Sequence, residues 1–225
     1  MSAVVVVFAV PGREDVTGAT LDALDGPGGA STLDCERLLF WSAPTPPTIE
    51  VPIGWSKHWH NQTARGSVAA LGDFVAMLDV VGDRDLVFIE DDVYPCRNAV
   101  PYMVRLASPH VVHFFNASSP MFPYGLRALP PGGFEFSQAL RIPAPVVKAL
   151  RASPPTSRGR FDGWDLAIGM CLHRMRLPLF QHRSLVRHTG FRSMWNPGND
   201  IAARLPARDY PGDDFDALTL LPSAA

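Results

Sequence analysis

No stretch of this sequence is apolar for long enough to cross a bilayer. The most apolar run, Met1 to Val10, is roughly half of a spanning helix and carries no basic residues ahead of it, so neither an anchor nor a signal peptide is expected. Cysteine is scarce. Cys35, Cys96 and Cys171 make no CxxC pair and no even-numbered framework, which argues against a disulfide-stapled secreted domain and fits reduced thiols. There is no excess of charge of one sign: 20 Lys and Arg against 22 Asp and Glu give a formal net charge of -2, which points neither to nor away from a polyanionic partner. Also missing are GxGxxG, a Walker loop and GxSxG, which argues against a Rossmann oxidoreductase, a P-loop nucleotidase and an α/β-hydrolase. No internal repeat is visible.

What is present fits one domain of 225 residues, 47% apolar, with a hydrophobic core and, from 22 prolines and 18 glycines, many turns. Ala3 to Ala9 is a β-branched run of the kind buried on both faces of a parallel sheet. Thr17 to Leu24 predicts a short helix, Arg37 to Ser42 a second strand, and Ser67 to Val80 an amphipathic helix on Val68, Leu71, Val75 and Leu78. Between the last two, residues 53–66 read as a polar loop. Leu86 to Ile89 and Val111 to Phe115 predict further strands, and residues 120–133 a long Pro/Gly loop. A strand near Phe136 to Leu140, a helix over Ile142 to Ala152, a helix beginning at Asp162 and a last strand over Leu179 to Val186 follow. The tail from Asn196 promises little core. Strands alternating with helices indicate an α/β three-layer domain.

Charge is unevenly spread. Between Arg141 and Arg208 twelve Lys or Arg face three acids, Asp162, Asp165 and Asp200. Either a solvated basic face or a surface that meets phosphates, of a donor diphosphate or a nucleic acid, would have this composition.

The chemistry centres on Glu90-Asp91-Asp92, three carboxylates delivered by a buried strand to its carboxyl end, where open α/β sheets bind ligands. Adjacent carboxylates repel unless a positive charge sits among them, and a hard divalent cation held with substrate phosphates is the usual solution. An acidic surface loop is the alternative. A second cluster runs through Asp162 and Asp165 and on to Ser184-Leu185-Val186-Arg187-His188-Thr189-Gly190. Trp55, His58, Trp59, His60 and Asn61 form a polar-aromatic patch; a zinc site there lacks further ligands at normal spacing.

The Leu86-Val87-Phe88-Ile89-Glu90-Asp91-Asp92-Val93 segment resembles the acidic motif of glycosyltransferases with the GT-A fold. Residues 179–195 resemble the SLV-x-H-x-G ending of N-acetylglucosaminyltransferase-like and phage or bacterial members, with Arg187 where that pattern often has Gln. The resemblance implies a GT-A-like α/β/α sandwich with a mixed, mainly parallel sheet. It divides the chain into a nucleotide-sugar-binding half (1–95), an acceptor and catalytic half (96–195) and an irregular tail (196–225).

It further implies a sugar moved, with inversion, from a nucleotide-diphosphate donor, a UDP-sugar first, to an acceptor hydroxyl of a glycan, a small molecule or a modified base in DNA. Mn²⁺ or Mg²⁺ would be held by Asp92 and His188. Glu90 and Asp91 would contact the donor, with Arg13, Arg187 and Arg192 near its base or phosphates. Asp165 would be the base, with Asp162 its rival; both also suit helix capping. With no anchor, a bacterial or phage-infected cytoplasm is the expected setting. The alternative reading is a nucleotide-sugar-binding or metal-dependent hydrolase domain without transfer activity.

Overall fold

The computed structural model describes residues 3–64, 66–116, 126–130, 134, 138–156, 163–189, 207 and 209–222. Strand β1 (Ala3–Ala9) is buried along its whole length. A strand can be apolar on both faces only if both are covered, and here each face meets its own core. Val4, Val6 and Phe8 join a cluster with Leu38, Phe40 and Phe88. Helices α2 (Ser67–Val81), α4 (Ala144–Ala152) and α5 (Trp164–Arg174) cover that side. Val5, Val7 and Ala9 join the opposite cluster, with Leu21 and Leu24 of α1 (Glu14–Asp25) and Val100 and Met103 of α3 (Ala99–Arg105). The result is the α/β/α layering that the alternation of elements implied.

The other strands are β2 (Glu36–Ala43), β3 (Trp55–Asn61), β4 (Asp85–Glu90), β5 (Val93–Pro95), β6 (Val111–His113), β7 (Arg127–Ala128), β8 (Ala139–Ile142), β9 (Leu179–Gln181) and β10 (Val186–His188). The main sheet runs β3-β2-β1-β4-β8-β6-β9-β7, and β5 pairs with β10 in a small antiparallel ribbon. Strands β3, β2, β1 and β4 are mutually parallel, and β8 is antiparallel to both β4 and β6. β9 follows the direction of β6, and β7 opposes it. The sheet is thus mixed and mainly parallel. From β1 the chain steps outward to β2 and β3, then returns to place β4 on the other side of β1. The ends of β1 and β4 therefore flank a topological switch point, the place where open α/β sheets bind ligands.

Several local expectations need correction. Residues 53–66 contain a full strand, β3, rather than only a loop. It lies at the sheet edge, where polar side chains are tolerated, and its half-buried His58 and His60 rings stack on Phe40. Trp59 donates its indole N–H to the Ala43 carbonyl at 2.9 Å. Ile142 closes β8 instead of opening a helix; Pro143 separates the two elements, and α4 starts at Ala144.

The last strand is two. The chain leaves the main sheet after Gln181, with His182 bonded to Tyr102 at 2.9 Å, and re-pairs as β10 against β5. Inside the expected Pro/Gly loop, Arg127–Ala128 adds a two-residue strand. Helix α3 had no counterpart in the sequence reading. It is seven residues long with Pro101 in its first turn, where a missing N–H costs no helical bond. The tail packs more than expected: Ala217 is fully buried, and Asp209 accepts from the Ser184 N–H at 3.0 Å. Cys35, Cys96 and Cys171 are all free thiols. Among the described residues, no helix is long and apolar enough to cross a membrane.

Candidate functional site

The carboxyl ends of β1 and β4 converge on four side chains. After β1 the chain turns through Gly12, whose φ of 94° lies in the left-handed region that favours glycine. That turn places Arg13 at the head of α1 with its side chain folded inward, 8% exposed. One guanidinium nitrogen, Nη1, donates to Asp92 Oδ2 at 2.6 Å, and the other, Nη2, pairs with Asp91 Oδ1. The positive charge that adjacent carboxylates require is therefore supplied by the chain itself.

Asp91 and Asp92 sit differently. Asp91 is fully buried beneath α1; its Oδ2 accepts from the Val10 N–H at 3.3 Å and from the Thr17 hydroxyl at 3.1 Å. One turn further on, the Thr20 hydroxyl lies 2.9 Å from the Asp91 carbonyl and 3.1 Å from that of Val93, fixing the backbone of the turn. Asp92 faces β10 instead. Its Oδ2 is 3.1 Å from His188 Nε2, while its carbonyl accepts from the N–H and hydroxyl of Thr189 at 2.9 and 3.0 Å. Among the described residues, its other oxygen, Oδ1, is buried with no hydrogen-bond partner, and so is Arg13 Nε. Glu90, half-buried, ends β4 opposite Phe8 of β1.

The electrostatics follow from this packing. Burial pushes the Asp91 carboxyl up to about 6: Arg13 offsets only part of the desolvation, and the neighbouring Asp92 charge adds to it. Burial acts on Asp92 in the same direction, but the His188 hydrogen bond and the Arg13 charge outweigh it and hold the group below the usual carboxylate range. Burial alone would lower His188; its hydrogen bond to Asp92 and the Asp92 and Glu90 charges raise it instead. Arg13 is likewise raised, the carboxylates outweighing its desolvation.

Asp165 and Arg187 make their hydrogen bonds outside this knot. Asp165 is in the first turn of α5, where its Oδ1 accepts from the Leu166 N–H at 2.8 Å. Its neighbour Trp164 stacks on Phe8 at 6.0 Å between ring centroids and packs edge-on to Phe88 at 5.7 Å, which brings the head of α5 to the carboxyl end of β1 and β4. Arg187 turns to the tail: its guanidinium makes bonds of 3.0 and 3.2 Å to Asp213 and lies 4.5 Å over the Tyr94 ring. Asp162 and Arg192 lie outside the described residues. In the polar-aromatic patch, His60 Nε2 and Gln62 Nε2 each lie 3.3 Å from Oδ1 of Asp73, a fully buried residue of α2.

Sequence reasoning missed Thr17 and Thr20, although their three-residue spacing on a short helix was a usable signal for one shared face. It also missed Thr189 and the counter-ion role of Arg13. Among the described residues, no three His, Cys, Asp or Glu side chains converge as a ready-made metal cage. What suits a hard cation is narrower: the open Oδ1 of Asp92, with His188 on the same carboxylate.

No protein-family model matches the chain, and no curated protein matches it. Among solved structures, the chain is similar to a Bacillus anthracis protein described as a "putative glucose-1-phosphate thymidylyltransferase", determined in complex with a sucrose. The TM-score is 0.49 at 10% identity, covering 91% of this chain and 96% of that one. The case for a function is therefore carried by the site's own residues.

Proposed function

We propose that the protein transfers a glycosyl group from a nucleotide-diphosphate sugar to an acceptor hydroxyl, with the donor diphosphate bound at the β1/β4 switch point. The supporting observation is the Arg13, Asp91, Asp92, His188 knot at that switch point, with one buried acceptor and one buried donor in it left unpaired among the described residues. A metal-bound diphosphate offers the complement of both: a cation for Asp92 Oδ1 and phosphate oxygens for Arg13 Nε. Mn²⁺ or Mg²⁺ would be held by Asp92 and His188, the diphosphate completing the set, and would offset charge on the leaving group.

The chain's own contributions differ by residue. Asp91, with its oxygens taken by Arg13, Val10 and Thr17, fixes the turn and the Arg13 side chain. Glu90 is the carboxylate of the turn that we assign to the donor. Asp165, held at the head of α5, is assigned as the base that takes the proton from the attacking hydroxyl, giving inversion by direct displacement. Arg187 is assigned to the ribbon and tail rather than to phosphate, because Asp213 and Tyr94 already hold it.

Among the described basic residues of the C-terminal third, two more are engaged across elements. Arg141 pairs with Asp85, and Arg151 with Asp79 and Asp83. This pairing favours a small-molecule or glycan acceptor over DNA, a choice that salt dependence of acceptor binding would check.

The test is a donor screen with UDP-, GDP-, TDP- and CMP-sugars and Mn²⁺, following nucleotide release and the fate of the sugar. Release of nucleotide with sugar on an added acceptor supports transfer. Release of free sugar that Asp165→Asn leaves undiminished would make the protein a hydrolase, and no release from any donor would sink the enzyme reading.

A further inference from the structure

Arg13 and a divalent cation have claims on the same carboxylate. In the knot, Arg13 Nη1 already holds Asp92 Oδ2, and His188 shares that oxygen. A cation on Oδ1 of the same carboxyl would stand within a few ångströms of the guanidinium, in a place where both residues are more than nine-tenths buried and water screens little. Two cations on one buried carboxylate repel, and Asp91, whose oxygens are taken by Arg13, Val10 and Thr17, offsets part of the Arg13 charge but has no oxygen left for the second cation. A diphosphate changes the balance. It brings negative charge between the two cations and oxygens for the unpartnered Arg13 Nε.

Resting on the donor site proposed above, we infer that Arg13 makes metal loading conditional on the diphosphate: the resident guanidinium keeps Asp92 closed to a divalent cation until a diphosphate arrives to share it. The site then takes up cation and donor together rather than holding a permanently bound metal. The coupling is reciprocal, so the cation tightens the diphosphate by the same factor.

The probes are Mn²⁺ and inorganic pyrophosphate, with bound Mn²⁺ read from its electron paramagnetic resonance signal against protein-free references. Removing Arg13 alone strands the buried Asp91 charge, so Arg13→Met is made both alone and with Asp91→Asn, and the double variant is compared with Asp91→Asn by itself. A thermal melt certifies folding of each.

The expected result is at least tenfold tighter Mn²⁺ binding to the protein with pyrophosphate than without it. Arg13→Met/Asp91→Asn should bind Mn²⁺ alone at least tenfold tighter than Asp91→Asn does, and pyrophosphate should add little more. Mn²⁺ binding that is indifferent to pyrophosphate, or unchanged by loss of Arg13, overturns the gate while leaving the donor site standing. No Mn²⁺ binding to any variant, with or without pyrophosphate, overturns both the gate and the metal assignment.

Discussion

Asp91→Asn should change how stability depends on pH more than it changes the fold. Asp91 is fully buried, and its carboxyl is raised from 3.8 to about 6 because burial outweighs Arg13 and the Asp92 charge opposes a second ionisation next door. A carboxyl raised on folding is most favourable to the native state when protonated, so its contribution is whole only below its unfolded value of 3.8 and is lost as pH rises through about 6. At about 1.4 kcal/mol per pH unit, the loss amounts to roughly 3 kcal/mol. Asparagine keeps the shape of the neutral acid and cannot ionise. The stability of Asp91→Asn relative to wild type should therefore rise by most of that amount, roughly 2 kcal/mol, between pH 4 and 7. Urea unfolding at each pH measures it, and the difference between the two curves removes every group they share. Because Asp91 and Asp92 share Arg13, the midpoint belongs to the pair. A difference that stays flat across the range would refute the reasoning: Asp91 would then be ionised throughout, with Arg13 dominating burial.

Thr17→Val removes a hydroxyl that donates to the buried Asp91 at 3.1 Å, and should cost about 1–3 kcal/mol at pH 7 in urea unfolding, less at pH 4. His188→Gln should be destabilised by about 1.5–3 kcal/mol at pH 6 and by less at pH 9. The raised His188 contributes fully below its unfolded value near 6.5 and loses that contribution as pH rises through the folded one. An equal cost at both pH values would mean that neutral imidazole makes the bond. Asp165→Asn should lower transfer about 10²–10⁴-fold with donor affinity unchanged, measured by single-turnover kinetics beside donor titration; full activity would remove it as the base.

The central strands were legible because β1 and β4 are buried on both faces, and burial on both faces writes itself as an unbroken apolar run. The edge was not: β3 needs few apolar side chains, so Trp55 to Asn61 gave the composition of a loop. The seven-residue α3 was too short to show a period. For the site, Asp92 and His188 could be nominated separately, but only β10 pairing with β5 places them 3.1 Å apart. The counter-ion role of Arg13 could not be read. An arginine after a strand is as often a surface residue, and its meeting with Asp91 and Asp92 is a contact across about 80 residues of chain that only the parallel pairing of β1 with β4 creates.

The claim that a donor diphosphate binds with its cation at the β1/β4 switch point is tested most directly by anomalous scattering from a crystal grown with Mn²⁺ and a nucleoside diphosphate. The account predicts a manganese peak bounded by Asp92 and His188, with the diphosphate against Arg13. Manganese and nucleotide found together elsewhere on the protein, with the Arg13, Asp91, Asp92 knot intact and bare, would contradict it.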